Sequence, residues 1–267
     1  LQGATAGNGN YTAGLGFRMG TRQSTAIITG VQDTTDSDRV GIAFFTNPDG
    51  SGATAADEAM RISSDGNVLL GTATEGSVDA DNLTISGDNR VGMTIRSANS
   101  GSSRIYFSDG TSGAAEYVGY ITYDHSDNHM RFGSAADEAF RIDGSQNLLV
   151  GKTAVEYDNT AGHIFRNDGF QSSIRSGGNV ADFNRLSNDG EIIRLSKDGT
   201  TVGSIFSSGG IQMGIGDGDT GLLFGDNIDA IMPWSTSNTQ RDNTTDLGRS
   251  LTRFKDLYLS GGVYLGG

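Results

Sequence analysis

The chain has 267 residues, of which 41 are glycine and only 35% are hydrophobic, so large apolar side chains are sparse for a self-contained monomer of this size. A formal charge of −13, from 32 acidic against 19 basic residues, excludes the basic footprint of a nucleic-acid binder. The absence of cysteine excludes a disulfide framework or a thiolate metal site, and no apolar run approaches the roughly 18 residues of a membrane helix.

A chain this thin in core residues is expected to bury its apolar surface against stacked repeats or against other chains. In chain order, residues 1–39 read as an N-terminal β segment. A first β repeat follows over 40–117. In it Met60 and Ile62 flank Arg61, and Met93 and Ile95 flank Thr94, each alternation predicting a half-buried strand. Val68-Leu69-Leu70 predicts a short strand covered on both faces. A second repeat over 118–201 shows the same signs, with Phe140 and Ile142 flanking Arg141 and then Leu148-Leu149-Val150. A degenerate third repeat over 202–245 holds the alternating Ile211, Met213 and Ile215 and the run Leu222-Leu223-Phe224. Residues 246–267 form a closing motif. Eight Asp-Gly pairs, ending at Gly50, Gly66, Gly110, Gly144, Gly169, Gly190, Gly199 and Gly218, predict two-residue hairpin turns. Pro48 and Pro233 are the only prolines, which suits long runs of hydrogen-bonded strand. The Ala-Ala-Asp-Glu-Ala stretches are too short to stand as helices.

Internal repetition is the strongest signal. Residues 54–74 and 134–154, 80 positions apart, share ten identities in 21 positions. Upstream, Val40-Gly41 and Phe44-Phe45 are aligned loosely with Val118-Gly119 and with Ile121 to Tyr123. Downstream, Thr94 to Ser97 matches Ser173 to Ser176.

Chemical motifs are weak. Gly151-Lys152-Thr153 ends like a phosphate-binding loop, but Gln146 stands where that loop needs glycine. Gly214 to Asp219 is similar to one turn of a calcium-binding glycine-aspartate repeat, yet such ions need stacked copies, so a plain acidic turn is expected. His125 and His129 lie near Asp124 and Asp127 at a His-x-x-x-His spacing within a polar loop, and a solvated turn rather than a metal site is expected there. No metal or other cofactor is expected. Thirty-two carboxylates single out no glycosidase pair, and no Ser or Cys nucleophile stands beside a placed histidine, so the chain is read as non-enzymatic. Tyr106, Tyr117, Tyr120, Tyr123, Tyr157 and Trp234 offer platforms for sugar rings, or else pack between chains. The candidate receptor-binding set is Tyr120, Tyr123, His125, His129 and Trp234, with the loop Tyr123 to Asn128 favoured because it is richer in aromatic and polar groups than its counterpart Thr46 to Gly52 and lacks the proline found there. Ile62, Leu69, Ile142, Leu149, Phe254, Leu257 and Leu259 are the candidate residues for packing between chains.

Two segments carry a resemblance. Met60-Arg61-Ile62-Ser63-Ser64-Asp65-Gly66-Asn67-Val68-Leu69-Leu70-Gly71-Thr72, with its partner Phe140 to Thr153, resembles the recurring shaft element of the distal tail fibres of tailed phages, especially those of marine and cyanobacterial hosts. Asp246 to Gly262, containing Arg253-Phe254-Lys255-Asp256-Leu257-Tyr258-Leu259, resembles the element near the end of such fibres. The resemblance implies an all-β, elongated, intertwined parallel homotrimer built of repeated small β modules. It implies a structural and adhesive virion component, partnered by two further copies of itself, by other phage tail proteins and by a host surface glycan, with neither nucleic acid nor membrane insertion. In many relatives the second element precedes an endosialidase-type intramolecular chaperone; here the chain stops at Gly267, and its opening on Leu1 is read as the mark of a piece of something longer. The alternatives are a tailspike-type polysaccharide depolymerase and a bacterial trimeric surface adhesin, since the shaft pattern also occurs in bacterial surface proteins.

Overall fold

The structure is a computed structural model that describes residues 9–17, 26–47 and 56–264. Pro48, the Asp-Gly pair at Gly50, the first two positions of the repeat at Thr54 and Ala55, most of the loop Thr46 to Gly52 and the last three residues lie outside them. The chain is all-β and divides into two compact units, 1–98 and 99–267.

The first unit holds a six-stranded sheet, taken in strict sequence order: β1 (Tyr11–Phe17), β2 (Ala26–Gln32), β3 (Val40–Thr46), β4 (Asp57–Ile62), β5 (Val68–Leu70) and β6 (Leu83–Ile85). All pairs are antiparallel except β5 with β6. The second unit holds a seven-stranded antiparallel sheet and a five-stranded one. The former comprises β7 (Ser102–Phe107), β8 (Gly119–Asp124), β9 (His129–Ser134), β10 (Asp137–Ile142), β11 (Leu148–Val150), β12 (Gly162–Phe165) and β13 (Gln171–Ile174). The latter comprises β14 (Gly190–Lys197), β15 (Thr200–Ser208), β16 (Gln212–Asp217), β17 (Thr220–Gly225) and β18 (Ala230–Trp234). In every sheet each strand pairs only with its sequence neighbours.

Strands β1–β5 and β7–β11 share their pairing, apart from a register shift between Tyr11 and Gly14 in β1 that β7 lacks. Leu15 opposite Ile28, Phe44, Met60 and Leu70 corresponds to Ile105 opposite Ile121, Phe132, Phe140 and Val150. The upstream alignment read from sequence is corrected here: β3 occupies the position of β9, not of β8, because Ile42, Phe44 and Thr46 face β4 as Met130, Phe132 and Ser134 face β10. Ten residues separate β3 from β4, but only Ala135 and Ala136 separate β9 from β10, and this difference hid the correspondence.

The Ala-Asp-Glu-Ala stretch turns out to encode a bulge. The register slips at Ala59 and again at Ala139, each leaving one extra residue between Glu and the following aromatic or methionine. In a regular strand residues three apart point to opposite faces; the extra residue brings Glu58 and Arg61, and likewise Glu138 and Arg141, onto one face. There they form paired hydrogen bonds at 2.5 and 2.7 Å and at 2.5 and 2.6 Å. The carbonyls of Ala59 and Ala139 accept from the N–H groups of Gly71 and Gly151. Each of those glycines has φ near +70°, a region that penalises a Cβ.

The turns differ from expectation. Asp198-Gly199 is a two-residue hairpin turn with both φ values positive. Gly66 and Gly169 instead close five-residue loops in which the fourth residue has positive φ, and at 143–147 that place is taken by Gln146 rather than Gly144. Gly110 precedes a short 3-10 turn over Gly113–Tyr117, Gly190 opens β14, and the turn after Asp217 is Gly218-Asp219. Met93 to Ile95 is not a strand, a second correction: β6 pairs parallel to β5 where the second sheet continues antiparallel, and residues 86–101 follow outside any sheet with Met93 and Ile95 exposed.

Apolar side chains line one face of each sheet as unbroken cross-strand rows. In the first sheet the row is Leu15, Ile28, Phe44, Met60, Leu70 and Ile85. In the third it is Ile193, Ile205, Ile215, Leu222 and Pro233. Unusually, the residues buried within the chain lie on the other face: Ala43, Leu69, Leu149, Ile164, Phe206 and Leu223 are covered, while Leu15, Ile215 and Leu222 are 59%, 46% and 43% exposed. The short runs expected to be covered on both faces are therefore covered on one, with Leu69, Leu149 and Leu223 closed and their neighbours open.

Candidate functional site

The second sheet carries a cleft on the face opposite its apolar row. Tyr106, Tyr120, Gly133 and Glu138 stand directly opposite one another across β7 to β10. Two residues along, Arg104, Thr122, Arg131 and Arg141 form the next row of the same face. The Tyr120 ring lies over Gly133, where any Cβ would overlap it. Tyr117, from the 3-10 turn, approaches Tyr106 with ring centroids 5.9 Å apart and planes tilted by 42°. Together these groups enclose about 240 Å³.

The electrostatics are uneven. Glu138 gives both carboxylate oxygens to Arg141, whose pKa this hydrogen bonding raises. The Nη2 of Arg131 reaches Asp127 at 3.0 Å and Asp124 at 3.5 Å, but its buried Nε has no hydrogen-bond partner, Glu138 Oε2 being 3.9 Å away. Arg104 lies 6.0 Å from the centroid of Tyr106. Among the described residues it is the strand arginine with no carboxylate or carbonyl partner. Burial, and then the charge of Glu138, raises the Tyr120 pKa, so its hydroxyl stays a donor.

Of the expected receptor-binding residues, Tyr120 and His129 share this face. His129 Nδ1 sits 2.8 Å from Asp127 and 3.2 Å from the Arg141 guanidinium. Tyr123 points to the other face, in the row of Met130 and Ile142. It stacks edge-on against His125 at 4.9 Å and donates its hydroxyl to Asn128. The two histidines thus belong to different faces of one turn. Trp234 is on the third sheet, donating to Asn238. Sequence reading named Tyr106 and Tyr117 as sugar platforms but missed Arg104 and Arg131. The available signal was the period-two spacing of Arg104 and Tyr106, where the corresponding positions of the first sheet are Gly14 and Gly16.

Among residues expected to pack between chains, Ile62 and Ile142 lie on apolar faces. Leu69 and Leu149 do not: at 1% and 0% exposure they are covered by their own chain, which corrects their assignment. Phe254, Leu257 and Leu259 are 68%, 69% and 55% exposed in a segment without strands. Lys152 is buried and donates to the Thr160 carbonyl, a strand-end role rather than a phosphate contact.

No family model and no curated protein matches this chain. A solved structure, the carboxy-terminal domain of the bacteriophage T5 L-shaped tail fibre, aligns with 100% of this chain and 93% of its own at 13% identity and a TM-score of 0.28. A likeness at that score does not bear on the fold or role of this chain.

Proposed function

We propose that this chain is a structural and adhesive segment of the tail fibre of a bacterial virus, working as a homotrimer that attaches the virion to a host surface glycan. The observation that carries the reading is the apolar row on each sheet, left open by its own chain. Contiguous exposed apolar surface of this kind marks an interaction site, and a sheet face needs a second layer to be stable in water. The resemblance of 60–72 and 246–262 to phage fibre elements supports both the viral setting and the number three. The shared pairing and bulges of the first two sheets support a fibre built of repeated modules. On this reading the chains meet along these open sheet faces.

The role is non-catalytic. Glu138, the carboxylate of the cleft, has both oxygens engaged by Arg141, which suits a fixed anion and not a proton-transfer group. Light scattering at micromolar concentration tests the assembly: the parent is expected at three chain masses, and Ile215→Asp with Leu222→Asp, placing charges in an apolar row, is expected to lower that mass. A folded, monodisperse monomer of the parent chain would overturn the reading.

A further inference from the structure

We infer that the tyrosine cleft of the second sheet binds a saccharide bearing a carboxylate, its ring against Tyr106 and Tyr117 and its anion held by Arg104. The inference rests on the adhesive reading above and names its ligand class.

The first support is a comparison within the molecule. The first sheet has the same strand pairing, yet at the positions of Arg104, Tyr106, Tyr120 and Arg131 it has Gly14, Gly16, Ile27 and Ala43. At the position of Gly133 the first sheet has Phe45, so the Tyr120 ring over Gly133 stands in for a packed aromatic and belongs to the scaffold, whereas Arg104 and Tyr106 stand where the first sheet has no side chain and call for a reason other than folding. Packing between chains is not that reason, because the apolar row that needs covering is on the opposite face. Thr122, which the first sheet matches with Thr29, is buried in both and belongs to the scaffold.

The second support is the state of the polar groups. The Nε of Arg131 is buried without a hydrogen-bond partner and its neighbour Glu138, 3.9 Å away, is taken up by Arg141, so the lining holds more guanidinium donors than free acceptors. Beside Arg131, Arg104 has its guanidinium free on the tyrosine side. Arg141 and the Nη2 of Arg131 are already engaged by Glu138, Asp124 and Asp127. What the cleft lacks is an acceptor, preferably anionic, and guanidinium groups recognise planar carboxylates with particular geometric fidelity.

The third support is shape. Tyr106 and Tyr117, 46% and 37% exposed and tilted by 42°, form an open V. Tyrosines offer rigid, amphipathic area at low entropic loss, suited to the C–H face of a pyranose, while the Tyr120 hydroxyl remains a donor. About 240 Å³ is below the roughly 300–1,000 Å³ of drug-sized pockets and suits one sugar ring rather than a long stretch of polymer.

The test is calorimetric titration of the intact chain with trigalacturonate, its neutral methyl ester, maltotriose and dextran sulfate, at low and high salt. Trigalacturonate is expected to bind at least tenfold more tightly than its ester at low salt, with the ratio shrinking as salt rises. Arg104→Gln, at an exposed position, is expected to abolish that ratio while keeping ester affinity, and Tyr106→Ala to weaken both. Equal binding of acid and ester, or a ratio unchanged in Arg104→Gln, overturns the inference but leaves the adhesive reading intact. Binding of dextran sulfate alone also overturns it. Failure of every sugar to bind removes this inference together with glycan attachment through this cleft, and a trimer mass would then still stand on its own.

Discussion

Two glycines facing aromatic rings make opposite predictions for the same added methyl. In the third sheet Gly214 lies under the ring of Phe206, which is fully buried, and an alanine Cβ there would fall inside hard contact with three ring atoms. Replacing a strand glycine with alanine recovers about 0.5–1 kcal/mol of backbone entropy, but overpacking a closed site typically destabilises by about 1–3 kcal/mol. With Phe206 unable to move, overpacking wins, and Gly214→Ala should lose about 1–2 kcal/mol per chain, lowering Tm by roughly 2–8 °C. Gly133 lies under Tyr120 in the same way, but that ring is partly exposed and can swing outward. Gly133→Ala should keep or slightly raise Tm while losing saccharide affinity, because the displaced ring no longer closes the cleft. Paired thermal melts followed by circular dichroism give the answer. If Gly214→Ala melts at or above the parent and Gly133→Ala is the destabilised variant, the reasoning from ring burial is wrong.

Asp143 accepts from Asn147 and from the N–H of Ser145; burial pushes its carboxyl up, but the hydrogen bonds from Asn147 and Ser145 pull it further down, to a net value below its ordinary 3.8. A depressed carboxylate contributes stability above its unfolded pKa that is lost as pH falls through the folded value, so Asp143→Ala should destabilise by about 1–2 kcal/mol at pH 7, with the difference from parent fading below pH 4 in parallel melts. Ala135 and Ala136 both have positive φ in the tight β9–β10 turn, and Ala135→Asn, which tolerates that region, should raise stability by up to about 1 kcal/mol in urea titrations. Phe254 is mostly exposed in one chain, so Phe254→Ala should lose roughly 3–5 kcal/mol per chain only where other chains bury it; an unchanged melt would show that it packs against nothing.

The strands were legible where apolar and polar residues alternate beside a turn, as at Met60 to Ile62, Phe140 to Ile142 and Met213 to Ile215. The direction of each face was not. Alternation says that two faces differ, and here the apolar face is the one left open. That is why Leu69 and Leu149, equally apolar, fell on the closed side. Met93 to Ile95 alternates as cleanly as any strand yet has no neighbour in its sheet, because alternation carries no information about partners. The bulges at Ala59 and Ala139 were visible only as a repeated Ala-Asp-Glu-Ala, and the shift of face they cause needs register to see. The cleft was half visible. Its tyrosines announce themselves by type, but an arginine in a strand reads as solvated surface until pairing sets it beside a ring and shows which carboxylates it lacks.

The order of the strands also bears on how the chain folds. Since every strand pairs with its sequence neighbour, each ladder closes over a connection of twelve residues or fewer, the longest being the parallel joining of β5 to β6 across residues 71–82. Loop-closure entropy is then small and contact order low, which favours rapid formation of each sheet from a single molecule. On the trimeric reading proposed above, covering the apolar rows is a separate event that waits for collision between molecules. Refolding should divide into an early phase independent of dilution and a late phase that slows with it, and the interval between them is when the uncovered rows are most exposed to aggregation.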